Sequence, residues 1–139
     1  MKGGRLHRAV FLDRDGVLIE ERNYLHRVED VVIFPGATVA LGRLHQAGFK
    51  LFIVSNQSGV GRGYFTLAQV EEVNQHLLRE LEHGHARIEK VYIAPEAPDA
   101  PSRGRKPSPQ FLLDARDEFG VELELEIEMV GEWKIEKGE

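Results

Sequence analysis

Short apolar runs alternate along this chain with segments of helical periodicity, and that alternation restricts the fold more than any other feature. Ala9–Leu12 is a short apolar run, Phe49–Val54 is nearly continuous in apolar residues, and Ile88–Ala94 predicts a third strand. Such runs read as strands buried on both faces, as parallel sheets require. Ala37, Ala40, Leu41 and Leu44 recur at helical spacing after Pro35-Gly36, and Gly48 marks a stop. Thr66 can cap a second helix with Gln69 three residues on, and Val70, Val73, Leu77, Leu78 and Leu81 form its inner stripe before Gly84. Phe111–Phe119, with Pro109 near its start and Gly120 after it, predicts a third. The order predicts an α/β fold, an open, doubly wound parallel sheet with ligands at the carboxyl ends of its strands.

The last element differs. Val121, Leu123, Leu125, Ile127 and Met129 alternate with Glu122, Glu124, Glu126 and Glu128. A period of two puts apolar groups on one face and carboxylates on the other. This segment is expected to end in a strand at or near the sheet edge.

At 139 residues, with 42% hydrophobic and 29% charged, the chain is expected to be one domain over residues 1–139. A formal charge of −5 with no basic stripe argues against nucleic acid as a partner. No segment approaches the roughly 20 apolar residues that span a bilayer, so no membrane partner is expected. Lys2-Gly3-Gly4-Arg5 lacks the apolar stretch of a signal peptide. The absence of cysteine removes disulfides and thiolate metal sites and suits a reducing cytoplasm.

Four segments carry the chemistry. The first strand runs out on Asp13-Arg14-Asp15-Gly16. At a strand tip, one carboxylate of an Asp-x-Asp pair can attack phosphorus while the other handles the proton. An Asx turn or a cation loop is the competing reading of that pair alone. The second strand delivers Ser55-Asn56-Gln57-Ser58-Gly59-Val60-Gly61-Arg62-Gly63, a hydroxyl followed by glycine-rich backbone that can donate to phosphate oxygens. Arg105-Lys106-Pro107 precedes a helix: Lys106 can neutralise a phosphoryl group and Arg105 can grip a second polar part of a substrate. Gly131-Glu132 with Glu136 can complete an all-oxygen site for a hard divalent ion such as Mg2+.

These segments together resemble the haloacid dehalogenase superfamily of phosphohydrolases, with Asp13-Arg14-Asp15-Gly16-Val17, Ser55, Lys106, and Glu132 with Glu136 as its four motifs. Asp-Arg-Asp-Gly, the stretch Ser55–Phe65 and Arg105-Lys106-Pro107 look like the branch of heptose-bisphosphate and histidinol-phosphate phosphatases, from about Ala9 onward. The resemblance implies Asp13 as the nucleophile that forms an aspartyl-phosphate and Asp15 as general acid, then base. It implies Ser55 and Lys106 as stabilisers of the transferring group. Mg2+ would be held by the Asp13 carboxylate, the Asp15 backbone carbonyl and Glu132. Substrate contacts would come from Glu21, Arg22, Asn23 and Tyr24, from Asn56, Gln57 and Ser58, and from Arg105. The expected substrate is a small phosphorylated metabolite, with D-glycero-D-manno-heptose 1,7-bisphosphate, losing its 7-phosphate, ahead of histidinol phosphate. The stretch between the first two motifs leaves no room for a separate cap domain, so the expected fold is capless with an open site.

Three departures from the family pattern stand out. Members of the heptose branch often carry a zinc loop before Arg-Lys-Pro, whereas Ala94, Glu96, Ser102 and Gly104 occupy the matching positions, so no structural zinc is expected. Glu132 replaces the usual aspartate; its extra methylene displaces the carboxylate by about 1.5 Å, and a shift on the order of 1 Å can cost about 100-fold in rate. Trp133 stands where a lysine often follows, with Lys134 one later. The chain ends at Glu139, where relatives continue with another helix and strand. An open edge left by that short C-terminus invites pairing, and a homodimer is the expectation. A weakly active or inactive homologue that binds phosphometabolites or a partner is the alternative. A response-regulator-like receiver fits less well, because its acceptor aspartate sits on a later strand. His26 lies nearest the first motif and, like His83 and His85, reads as a surface side chain.

Overall fold

The computed structural model describes residues 7–122 and the backbone of residues 128–130. Four parallel strands form one sheet, β1 (Ala9–Leu12), β2 (Lys50–Asn56), β3 (Ile88–Ala94) and β4 (Glu128–Val130), in the order β3-β2-β1-β4. Between them lie α1 (Ala37–Gln46), a short α2 (Ser58–Gly61), α3 (Leu67–His83) and α4 (Gln110–Phe119). The glutamate-rich segment therefore ends in a strand flanking β1 at the sheet margin, as expected. Val121 is already in a bridge with His7; residues 123–127, Glu132 and Glu136 lie outside the described residues.

The period of two explains why β1 is apolar throughout. Val10 and Leu12 face a cluster with Leu51, Ile53, Leu41, Val73, Leu77 and Leu81, so α1 and α3 cover that side. Ala9 and Phe11 face the other way, toward Phe52, Val54, Tyr92, Leu112 and Ala115, under α4. Phe11 stacks on Phe52 at 5.0 Å, and Phe119 meets Phe52 edge-on at 5.3 Å. Such pairs add roughly 0.5–1.5 kcal/mol each beyond the area they bury. A sheet with helices on both faces leaves only its strand ends for a ligand.

Helix α3 starts where its sequence says it should. The Thr66 hydroxyl accepts from the Gln69 N–H at 3.1 Å and the Gln69 side chain accepts from the Thr66 N–H at 2.9 Å, a complete capping box. Helix α4 ends on Gly120 at φ 68°, a left-handed position that glycine takes without a Cβ penalty.

Parallel register brings the functional loops to one rim. Leu12 pairs with Ile53 and Asn56 with Ala94. The segments after Leu12, Ser55 and Ala94 therefore emerge side by side. The glycine-rich segment after β2 winds into α2, and two of its glycines serve close packing. A Cβ on Gly59 would lie 2.2 Å from the Phe65 ring, and one on Gly61 would lie 2.4 Å from the Ala97 nitrogen. Gly61 N–H also donates to the Pro95 carbonyl at 2.9 Å, tying α2 to the loop after β3. Replacing Gly61 by Ala drives a methyl into backbone that cannot rotate away. The expected cost is about 1–3 kcal/mol, read as a lower urea midpoint at unchanged slope.

Candidate active site

The chain leaves β1 through a tight turn: the N–H groups of Leu18 and Ile19 donate to the Arg14 carbonyl, and Gly16, at φ 83°, donates to Ile19. Glu20 N–H to Val32 O at 2.8 Å and Phe34 N–H to Leu18 O at 3.0 Å close a small antiparallel flap. Buried Leu18, Ile19 and Leu25 anchor it to the core. Residues 21–25 at its tip line one wall of a cleft of about 340 Å³. The floor and opposite wall carry Asp13, Arg14, Asp15, Asn56, Gln57, Ser58 and Lys106.

Asp13 and Lys106 meet at the floor, with Asp13 Oδ2 2.8 Å from Lys106 Nζ. Lys106 is 6% exposed. Its Nζ also donates to the Val54 carbonyl at 3.2 Å, and its backbone N–H donates to Asn56 Oδ1 at 3.1 Å. The other Asp13 oxygen accepts from the Arg14 N–H at 2.8 Å. A buried ammonium is tolerable only with such partners; removing one partner of a buried pair costs about 3–5 kcal/mol.

Asp15 is held from two sides. Arg14 donates from Nε to Oδ2 at 3.2 Å and from Nη2 to Oδ1 at 3.1 Å, a fork-on-carboxylate contact. Gln57 Nε2 reaches Oδ2 at 2.9 Å and also donates to the Ser55 hydroxyl at 2.6 Å. Ser55 is fully buried beneath the floor. Because its oxygen accepts from Gln57, its single proton stays available for donation.

Of the residues singled out from sequence, Asp13, Asp15, Lys106, Glu21, Arg22, Asn23, Tyr24, Asn56, Gln57 and Ser58 all line the cleft. Ser55 lies one layer below. Arg105 is not among the lining residues: its Nη1 donates to the Glu96 carbonyl at 3.2 Å. Asn56 and Gln57 do more than face a ligand, since one latches Lys106 and the other Asp15. His26 is half-buried rather than a plain surface group. It stacks on Phe65 at 5.2 Å, and its Nδ1 donates to the Tyr24 carbonyl at 2.8 Å. His83 and His85 are exposed.

Sequence reasoning missed four participants. Arg14 is 1% exposed, and its Nη1 donates to Asn74 Oδ1 on α3 at 3.0 Å. Asn74 had a legible signal: it occupies the inner stripe between Val73 and Leu77, where a polar residue needs a reason. Tyr64 meets Tyr24 edge-on at 4.7 Å, and Phe65 carries His26, so the α2–α3 connection braces the flap. Tyr24 sits at φ 55°, a left-handed strain for a side-chain-bearing residue that these contacts sustain.

The loop after β3 is held by polar contacts. Ser102 Oγ donates to Glu96 Oε1 at 2.6 Å and accepts from the Arg105 N–H at 3.1 Å. A Cβ on Gly104 would lie 2.1 Å from the Phe111 ring, so a larger side chain there requires that ring to shift. Among the described residues, no three His, Cys, Asp or Glu side chains gather as a metal site by themselves. Also among them, no helix is long and apolar enough to cross a membrane.

Comparison with known proteins gives the family and the fold. The chain is 35% identical over 120 residues to the D-glycero-beta-D-manno-heptose-1,7-bisphosphate 7-phosphatase of Helicobacter pylori, covering 85% of this chain and 69% of the relative. It is 31% identical over 132 residues to the D-glycero-alpha-D-manno-heptose-1,7-bisphosphate 7-phosphatase of Photorhabdus laumondii, covering 90% and 72%. This chain belongs to the heptose-bisphosphate phosphatase family of haloacid dehalogenase-like proteins. A crystal structure of D,D-heptose 1,7-bisphosphate phosphatase from B. bronchiseptica, complexed with magnesium and phosphate, superposes at a TM-score of 0.82. That match has 28% identity and covers 89% of this chain and 69% of the other. No family model matches the chain. In this member of the family, the loop that carries Lys106 is also clamped to α4 by Arg103, which donates to both Asp114 oxygens at 2.5 and 2.7 Å.

That clamp has a pH signature. The Arg103 guanidinium holds the Asp114 carboxyl down to about 2, against roughly 3.9 for an unfolded aspartate. A folded-state pKa below the unfolded one adds stability above the unfolded pKa that fades as pH falls toward the folded value. Acid unfolding followed by circular dichroism should steepen between about pH 4 and pH 2. Asp114→Asn should flatten that limb.

Proposed function

We propose that this chain is a magnesium-dependent phosphomonoesterase that removes the 7-phosphate of D-glycero-D-manno-heptose 1,7-bisphosphate through an aspartyl-phosphate on Asp13. The observation that carries the reading is the Asp13–Lys106 pair at the cleft floor with Asp15 held beside it. The substrate is that of the relatives, which act on the beta anomer in one case and the alpha anomer in another. Zero cysteines fit the proposed cytoplasmic setting.

In the proposed reaction an Asp13 carboxylate oxygen attacks phosphorus as the bond to the sugar oxygen breaks. Asp15 delivers its proton to that leaving oxygen, so the sugar departs as a neutral alcohol. Asp15, now a carboxylate, takes a proton from water as the water oxygen attacks the aspartyl-phosphate. The Asp13–phosphorus bond breaks, phosphate leaves and both aspartates are restored. Lys106 offsets charge on Asp13 and on the transferring group throughout. Ser55 donates its free proton to a phosphoryl oxygen. Glu21 to Tyr24 on the flap, with Ser58 opposite, embrace the sugar, and Arg105 closes on it after leaving Glu96.

The donor atoms at the floor are oxygens, a hard set that suits Mg2+. The Asp13 carboxylate, the Asp15 carbonyl and Glu132 would hold it, and it supplies positive charge to the phosphoryl oxygens when bound.

Asp13→Asn keeps the side chain's shape and an acceptor for Lys106, so it should fold normally by far-ultraviolet circular dichroism while losing all measurable turnover. Near-wild-type activity in that variant would refute the covalent mechanism. Asp15→Asn should lower kcat by about 10²- to 10⁴-fold. Chelation should abolish hydrolysis of both an aryl phosphate and the heptose bisphosphate, and titrating Mg2+ back should restore it.

A further inference from the structure

Burying a guanidinium demands a reason. Arg14 is 1% exposed, yet it sits in a chain segment that is otherwise apolar up to Asp13. All three of its nitrogens are engaged: Nε and Nη2 with the Asp15 carboxylate, and Nη1 with Asn74 Oδ1 at 3.0 Å. Asn74 itself is 7% exposed, on the face of α3 that otherwise presents Val70, Val73 and Leu77 to the core. Two polar groups are thus taken from water into a hydrophobic layer, at a desolvation cost that apolar residues would avoid. What they achieve is a fixed carboxylate.

We infer that Asn74 and Arg14 form a buried strut that sets the direction of the Asp15 carboxylate, which makes Asn74 a positioning residue for proton delivery to the leaving alcohol. The inference rests on the reading of Asp15 as general acid. Gln57 restrains the same carboxylate from the β2 side at 2.9 Å, but it reaches only Oδ2. Among the described residues the Arg14 fork alone grips both oxygens, and Asn74 stops that fork from turning. Proton transfer needs the two heavy atoms within about 2.6–3.2 Å, so a small rotation of the fork is enough to weaken it.

Leaving-group chemistry separates this role from a structural one. A sugar alkoxide is strongly basic and cannot depart without a proton, whereas p-nitrophenolate departs without one. The ratio kcat/KM reports steps through the first phosphoryl transfer, so hydrolysis of the aspartyl-phosphate does not enter it. Asn74→Leu and Asn74→Ala should lower kcat/KM for the heptose bisphosphate by about 10- to 100-fold, and for p-nitrophenyl phosphate by only a few-fold. Asn74→Asp, which keeps an acceptor for Nη1, should restore the sugar phosphate to within a few-fold of wild type. The two losses are compared at a temperature where melting curves show each variant folded, and the Ala variant decides if Leu does not fold. Equal losses on both substrates, or no loss on either, would overturn the strut. Asp15→Asn run in parallel tests the foundation. If it also fails to discriminate between the substrates, the general-acid reading itself is wrong. If it discriminates and the Asn74 variants do not, the strut alone is wrong.

Discussion

Everything at the cleft depends on one buried ion pair. Asp13 comes from the end of β1 and Lys106 from the loop before α4, and their side chains meet over the end of β2. The buried Lys106 ammonium is costly without acceptors around it, so the Asp13 side chain favours the native path of both loops. The pair is fastened at its middle: Lys106 also binds the Val54 carbonyl, and its backbone N–H binds the Asn56 side chain. Three neighbouring chain segments are thereby locked at the rim where parallel register has already brought them. The site is a consequence of the sheet, and the ion pair turns proximity into fixed geometry.

A division of labour follows between residues that face the cleft and residues that hold them. Arg14 and Gln57 line the cleft with each side-chain nitrogen on an acceptor, while Ser55 and Asn74 stand behind them, accepting from Gln57 and Arg14. Such networks repay burial only when fully satisfied. On the flap the holding groups are aromatic instead, with Tyr64 and Phe65 bracing Tyr24 and His26. The difference suits the positions: proton chemistry at the floor needs angular precision from hydrogen bonds, while a flap tip needs contact area that tolerates small motions.

The strands, three long helices and both caps of α3 and α4 were legible in sequence because each depends on local periodicity or a single capping residue. Asp13 and Asp15 are legible because two carboxylates close the buried run of β1, and Lys106 because Arg105-Lys106-Pro107 precedes a helix. What sequence could not give was partnership. Arg14 and Asn74 stand 60 positions apart, and no local pattern links them. The glycines after β2 suggest backbone that approaches a phosphate, whereas in the fold a Cβ on Gly59 would meet the Phe65 ring and one on Gly61 the backbone at Ala97. Composition identified the residue type correctly; only tertiary packing supplied the reason. Arg105 shows the reverse case, a motif residue whose side chain rests on the Glu96 carbonyl, apart from the cleft-lining residues.

Charge balance argues for the metal independently of any relative. Among the described residues, the charged side chains lining the cleft are Asp13, Asp15 and Glu21 against Arg14, Arg22 and Lys106. Three acids and three bases cancel. Arg14 and Lys106 are moreover committed to Asp15 and Asp13, so they neutralise the aspartates already present rather than a newcomer. A phosphate monoester near neutral pH brings close to two negative charges of its own, and it must approach a carboxylate nucleophile. In a partly buried site that repulsion is poorly screened. A divalent cation, which the Asp13 carboxylate would help to hold, would supply the missing charge in a single ligand. The protein's own cations keep its two aspartates aimed, and the incoming charge is left for the metal to balance.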